Sequence, residues 1–211
     1  MVHHKSNSSG LFVIAKTLAL ITILIAGISS QPSHALDAKK NEKSVLEDCE
    51  AKICELVLKK KPRKGWLTCA IGKTWEKHDI KKGAKSKDIG WKFGDAQCSV
   101  NVRMIRSAVI DALTHPKYKI RFQRHYVNCL VESGGGLQKV RVGLAPKLKF
   151  KNGRVKKVWI NVKEVHGPPL LSSLIWTTAK LEDGLGIFHR EMVHEINDFV
   201  HNKCAKRHGK K

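Results

Sequence analysis

The sequence predicts an α+β domain: an antiparallel meander of about four strands, covered on one face by helices from the N- and C-terminal parts of the chain. Three observations carry that prediction. Between Lys117 and Val165, runs of apolar and charged residues alternate with the two-residue period of half-buried strands. Asn152-Gly153 separates two of these runs and supplies the left-handed dipeptide of a tight hairpin. On either side of that stretch apolar residues recur at three- and four-residue steps, the spacing of amphipathic helices.

The first 35 residues read as an export signal. Lys5 and Lys16 precede an apolar core from Leu18 to Ile28, and Ser33-His34-Ala35 has the small-x-small pattern of a cleavage site. A retained membrane anchor is the rival, since Leu11 to Ile28 is nearly long enough to span, although Lys16 interrupts it. Removing 35 of 211 residues leaves 176, enough for one core, so residues 36–211 are expected to form a single domain stapled by disulfides. That domain would be periplasmic or secreted, with no integral membrane segment once the signal is gone.

Ser44-Val45-Leu46-Glu47 matches a capping box, which starts a helix at Val45 with Cys49, Ile53, Leu56 and Val57 on its apolar stripe. Leu67, Ala70, Ile71 and Trp75 suggest a second, short helix. Lys81 to Gly94 reads as a long loop pinned by Trp91 and Phe93. Cys98, Val100, Val102 and Met104 alternate as a strand, and a helix over Ser107 to Leu113 follows, stopped by Pro116. Tyr118, Ile120 and Phe122 change parity to Val127, Cys129 and Val131 across Gln123 to Tyr126, which predicts a bulge within a curved strand. Gly134 to Gly136 forms a hairpin loop, and the next run carries Val140, Val142, Leu144, Leu148 and Phe150 on one parity. After the Asn152-Gly153 turn the apolar parity slips between Val155 and Val158, so a bulge is expected at Lys156-Lys157. Gly167-Pro168-Pro169 starts a helix over Leu170 to Glu182, and a last helix runs from about Ile187 to Cys204.

Six cysteines, all after residue 35, fit three disulfides in an oxidising compartment. Cys98 and Cys129 sit on the apolar parity of neighbouring strands and are expected to pair. Cys49 and Cys54 are too far apart along one helix to bond to each other, so the expected pairs are Cys54 with Cys69 and Cys49 with Cys204. No cysteine spacing suits zinc, and no metal or cofactor motif stands out.

Two of the 40 basic residues and none of the 18 acidic ones precede Leu36, leaving 38 against 18. An excess of that size attracts polyanions and anionic membrane surfaces. The outward parity of the sheet concentrates it: Lys117, Lys119, Arg121, Lys139, Arg141, Lys147, Lys149, Lys151, Arg154 and Lys163, with Trp159 beside them. Trp159 should lie nearly opposite Lys147, close enough for a cation–π contact. The expected role is a non-catalytic binding protein for an anionic envelope polymer or membrane surface, with Arg141, Lys147, Lys149, Lys151 and Trp159 as binding residues. Export makes nucleic acid a less natural partner. No catalytic residue is assigned, because no serine lies in a G-x-S-x-G elbow and the cysteines are expected to be oxidised. The alternative is an envelope hydrolase in which His125 or His166 meets a carboxylate in a pocket. Glu191, His194, Asp198 and His201 share one face of the last helix, expected to be solvated.

Overall fold

The alternation read from the sequence resolves into eight antiparallel strands in two sheets, interleaved with helices. The structure is a computed structural model that describes residue 36 and residues 41–85, 89–186 and 189–208. The export signal lies outside the described residues, among which no helix is long and apolar enough to cross a membrane. In chain order the elements are α1 (Glu42–Lys59), β1 (Trp66–Trp75), α2 (Lys77–Lys85), β2 (Ala96–Ile105), α3 (Arg106–Thr114), β3 (Lys117–Arg121), β4 (His125–Ser133), β5 (Gly136–Leu144), β6 (Lys147–Lys151), β7 (Arg154–Trp159), β8 (Val162–His166), α4 (Pro169–Leu185) and α5 (His189–Asp198). A π-helical turn (Phe199–Lys203) then leads into α6 (Cys204–His208).

One sheet has the order β1-β2-β4-β5-β8 and the other β3-β6-β7. Three chain paths, β3–β4, β5–β6 and β7–β8, run from one sheet into the other. The four-strand expectation therefore holds for β2 and these three paths, and the structure corrects it by breaking each path in two and adding β1. The break has local causes. Pro146 cannot donate to the ladder, the parity slips at Phe122 to Arg124, and Asn161 adopts φ +53°. The Asn161 amide nitrogen donates to the Asp183 carboxylate at 2.8 Å and its side chain donates to the Ala145 carbonyl at 2.8 Å, which fixes the bend against α4.

Two corrections concern the N-terminal half. Residues 66–75 form β1 rather than a helix, because Leu67, Cys69 and Ile71 recur at period two and face inward. Helix α2 occupies part of the expected loop, although Trp91 and Phe93 still pin the rest, edge to face at 5.2 Å. The first helix begins at Glu42, three residues before the expected start, with Asn41 as its N-cap. Ser44 Oγ donates back to the Asn41 carbonyl instead of capping an amide.

The apolar residues gather in three clusters. One packs Leu171 of α4 with Phe93 on Val131, Val140 and Val142 of the larger sheet. A second joins α1, α3 and β1 through Leu56, Ile110 and Leu67. The third packs Ala112 of α3 and Met192, Val193 and Ile196 of α5 on Ile120, Phe150, Val155 and Val158 of the smaller sheet. Asn197 locks that last contact, its Oδ1 accepting from the Val155 amide at 2.8 Å and its Nδ2 donating to the Val155 carbonyl at 3.0 Å.

Three disulfides are present, a pattern that suggests an oxidising, extracellular-type environment. Cys98–Cys129 links residues directly opposite in β2 and β4, as expected. The other two pairs are exchanged relative to the sequence reading: Cys49 bonds Cys69 and Cys54 bonds Cys204. Five helical residues turn by about 140° beyond one revolution, so Cys49 faces β1 while Cys54 faces α6. Cys54–Cys204 closes the longest loop, 150 residues apart in sequence. Replacing both by alanine should lower unfolding stability by about 3–5 kcal/mol in denaturant melts, with far-UV circular dichroism of the native state unchanged.

Candidate functional site

The smaller sheet sets out its cations as a lattice. Cross-strand pairing aligns Lys117, Lys151 and Arg154, then Lys119, Lys149 and Lys157, then Arg121, Lys147 and Trp159. Eight of these nine positions are basic and the ninth is an indole. The bulge falls where expected, with Lys156 as the extra residue opposite the step from Lys149 to Phe150. It keeps Val155 and Val158 buried while Arg154, Lys157 and Trp159 share the outer face. Asn152 and Gly153 adopt φ +51° and +71°, the geometry of a two-residue hairpin turn. A Cβ on Gly153 would also lie 3.0 Å from the Leu113 carbonyl oxygen, so glycine lets the turn seat against α3.

Strands about 4.8 Å apart, with alternate residues about 6.6 Å apart, put the nine positions within about 10 by 13 Å. Neighbouring charges then stand closer than the Debye length of about 8 Å at physiological salt, and repel one another. The three strands contain no acidic residue, and none of their cations forms an ion pair among the described residues. The helices α3 and α5 cover the opposite face, so the lattice is open. Trp159 pairs with Lys147 across the strands as expected, but the ammonium over its ring is that of Lys157, at 4.9 Å. Lys157 and Trp159, two residues apart, both point to the outer face of the same strand, so the same-strand neighbour reaches the ring.

Arg141 is not part of this lattice. It stands on β5 of the larger sheet with Lys139, while Lys163 sits at a bulge in β8. There Gly72, Ser99, Asn128, Arg141 and His166 form one row across all five strands. They line a cleft of about 460 Å³ on the face away from α4. The Arg141 guanidinium stacks on Tyr126, 3.8 Å from the ring centroid. Beside it Glu164 receives Arg124 Nη1 at 3.2 Å and lies 3.3 Å from His166 Nε2. Hydrogen bonding from the Tyr126 hydroxyl, then from His166, holds the Glu164 carboxyl below its ordinary value, and the Arg124 charge adds to this.

The residues of the hydrolase alternative are spread over separate places. His125 is buried with both ring nitrogens on backbone: Arg103 donates its amide to Nε2 at 2.9 Å, and Nδ1 lies 2.7 Å from the Gln123 carbonyl. The cavity it lines, about 370 Å³, has no carboxylate among its lining residues. A second apolar cavity of about 510 Å³ between α2 and α4 is lined by Asp79 and Glu182 but by no histidine. His166 does meet a carboxylate, at the open cleft. The cleft's one hydroxyl side chain, Ser99, is three strands away, about 14 Å, too far for activation by that histidine. In the π-helical turn His201 Nε2 lies 3.1 Å from the Gly153 carbonyl, and at the end of α5 Asp198 is held below its ordinary value by Asn202 and then Lys203.

No protein-family model matches the chain, and neither a curated protein nor a solved structure does. The site rests on geometry alone. The lattice was legible from parity and the bulge. The row across the larger sheet was not, because its register depends on β1 and β8 as well as on the central strands. Glu164 offers a direct check on that row. Its folded carboxyl titrates below the unfolded value, so its contribution to stability is present above about pH 4.3 and is lost as pH falls through the folded value. Melting temperatures of Glu164→Gln should therefore decline less than those of the parent chain as pH falls below about 4.3. Superimposable acid limbs would mean the network does not form.

Proposed function

We propose that the protein is an exported, non-catalytic binding protein that engages an anionic polymer or membrane surface of the cell envelope through the outer face of its three-stranded sheet. The observation that carries this reading is the lattice of eight cations around Trp159, with no acid in the three strands that bear it. Each row repels its neighbours, and a bound polyanion relieves that repulsion while releasing its own counterions. Trp159 offers a ring edge and face among the charges, suited to a sugar or acyl-glycerol surface.

Export is supported by the disulfides and by the position of Leu36, the residue at which the mature chain would start. Its backbone nitrogen donates to Glu132 Oε1 at 2.8 Å, while Glu132 Oε2 accepts from the Asp95 amide at 3.1 Å. Cleavage after Ala35 would turn that amide into an α-ammonium already placed against a carboxylate. N-terminal sequencing of secreted material should begin at Leu36. Glu132→Gln should then destabilise the processed chain by about 1–2 kcal/mol.

The binding reading is tested with phosphatidylglycerol vesicles and with a soluble polyanion such as heparin, each at low and high salt. Affinity should fall steeply with salt, and Lys147→Glu, Lys149→Glu and Lys151→Glu combined should abolish binding with little change in melting temperature, since all three side chains lie outside the core. Trp159→Ala should weaken binding by about 1–2 kcal/mol. Retention of full affinity by the folded triple variant would end the proposal.

A further inference from the structure

We propose that the cleft on the outer face of the five-stranded sheet is a second, separate binding site, taking a hydroxylated small molecule that carries a single anionic group. The cleft is polarised. Lys139, Arg141 and His166 line one end. Glu42 lines it from β1's side, with Oε1 and Oε2 held at 2.6 and 2.9 Å by the hydroxyl and amide of Thr74. Between them Ser99 and Asn128 present neutral hydrogen-bonding groups from β2 and β4.

Such a row matches one class of ligand. A planar guanidinium flanked by an ammonium and an imidazole recognises a carboxylate or phosphate oxygen pair. The Asn128 amide beside Arg141 and the Ser99 hydroxyl beyond it suit sugar-type hydroxyls, and the Glu42 carboxylate at the far end disfavours a second anion. A volume of about 460 Å³ is ample for a molecule of monosaccharide size.

The cationic end is also fixed before any ligand arrives. Stacking on Tyr126 holds Arg141. Glu164 crosses β5 over Gly143, where a Cβ would come within 2.7 Å of Glu164 Oε1, and from there reaches His166 and Arg124. The absence of a side chain at Gly143 is what lets one carboxylate orient the imidazole beside the guanidinium. Preorganised donors of this kind lose little entropy on binding. Glu164 is thus a positioning residue, and Arg141, Lys139 and His166 are the contacts.

Calorimetric titration of the purified protein with glucuronate, glucose 6-phosphate and glucose separates the carboxylate and phosphate forms of this chemistry from the neutral sugar. At least one of the two anionic sugars should bind about tenfold or more tightly than glucose, and Arg141→Ala and His166→Ala should each weaken it by about tenfold. Gly72→Val, which adds bulk at the cleft floor without removing a charge, should weaken it too. Lys149→Glu, on the other sheet, should leave the affinity unchanged, so this site and the polyanion reading fail independently. The inference is overturned if glucose binds as well as both anionic sugars, if none of the three binds, or if Arg141→Ala or Gly72→Val, folded by near-UV circular dichroism, keeps the parent affinity.

Discussion

Burial of one face of the three-stranded sheet is the constraint on which the rest depends. Ile120, Phe150, Val155 and Val158 are nearly removed from solvent against α3 and α5, and fully burying side chains of this size stabilises the fold by about 1.5–3 kcal/mol each. With the strand period at two, sinking Leu148 and Phe150 leaves Lys147, Lys149 and Lys151 no direction but outward. The repulsion among those ammonium groups is much the smaller quantity, because exposed charges interact through water. Packing on the inside therefore sets the charge pattern on the outside. A one-residue slip in register would reverse both faces at once, and the extra residue at Lys156 is what keeps β7 in step.

The same bookkeeping explains what the sequence made legible. Strong alternation in β5, β6 and β7, the Asn152-Gly153 turn and the parity slip at Lys156 were all local signals, and each came through. β1 did not, because Leu67, Cys69 and Ile71 at period two compete with Leu67, Ala70, Ile71 and Trp75 at helical steps, and ten residues do not decide between them. The exchanged disulfides follow from that misreading: with no strand at Cys69, nothing indicated that Cys49 would face it. Division into two sheets was hidden for another reason. The marks at Phe122 to Arg124, Pro146 and Asn161 lie 15 to 24 residues apart in sequence and only become one bend when the strands are paired.

That bend also sorts the charges. Arg141 and Lys147 are six residues apart on one chain path, and both face away from the apolar core, yet their surroundings differ in kind. Lys147 has cations and an indole around it. Arg141 has Tyr126 beneath it, Glu164 nearby and hydrogen-bonding neutrals alongside. One surface is uniformly basic, and the other is graded from basic at Arg141 to acidic at Glu42. Counting positive residues cannot distinguish them; cross-strand neighbours do.

Asn197 has a consequence for the protein's behaviour in company. β7 is an outer strand of its sheet, and an outer strand ordinarily offers its free amides and carbonyls to any similar strand that approaches. Here the side-chain amide of Asn197 occupies both groups of Val155, the second residue of the strand, as a neighbouring strand would. The bulged Lys156 beside it adds a charge and a kink to the same edge. The plug removes the Val155 amide and carbonyl from the edge-to-edge pairing through which copies of a chain associate.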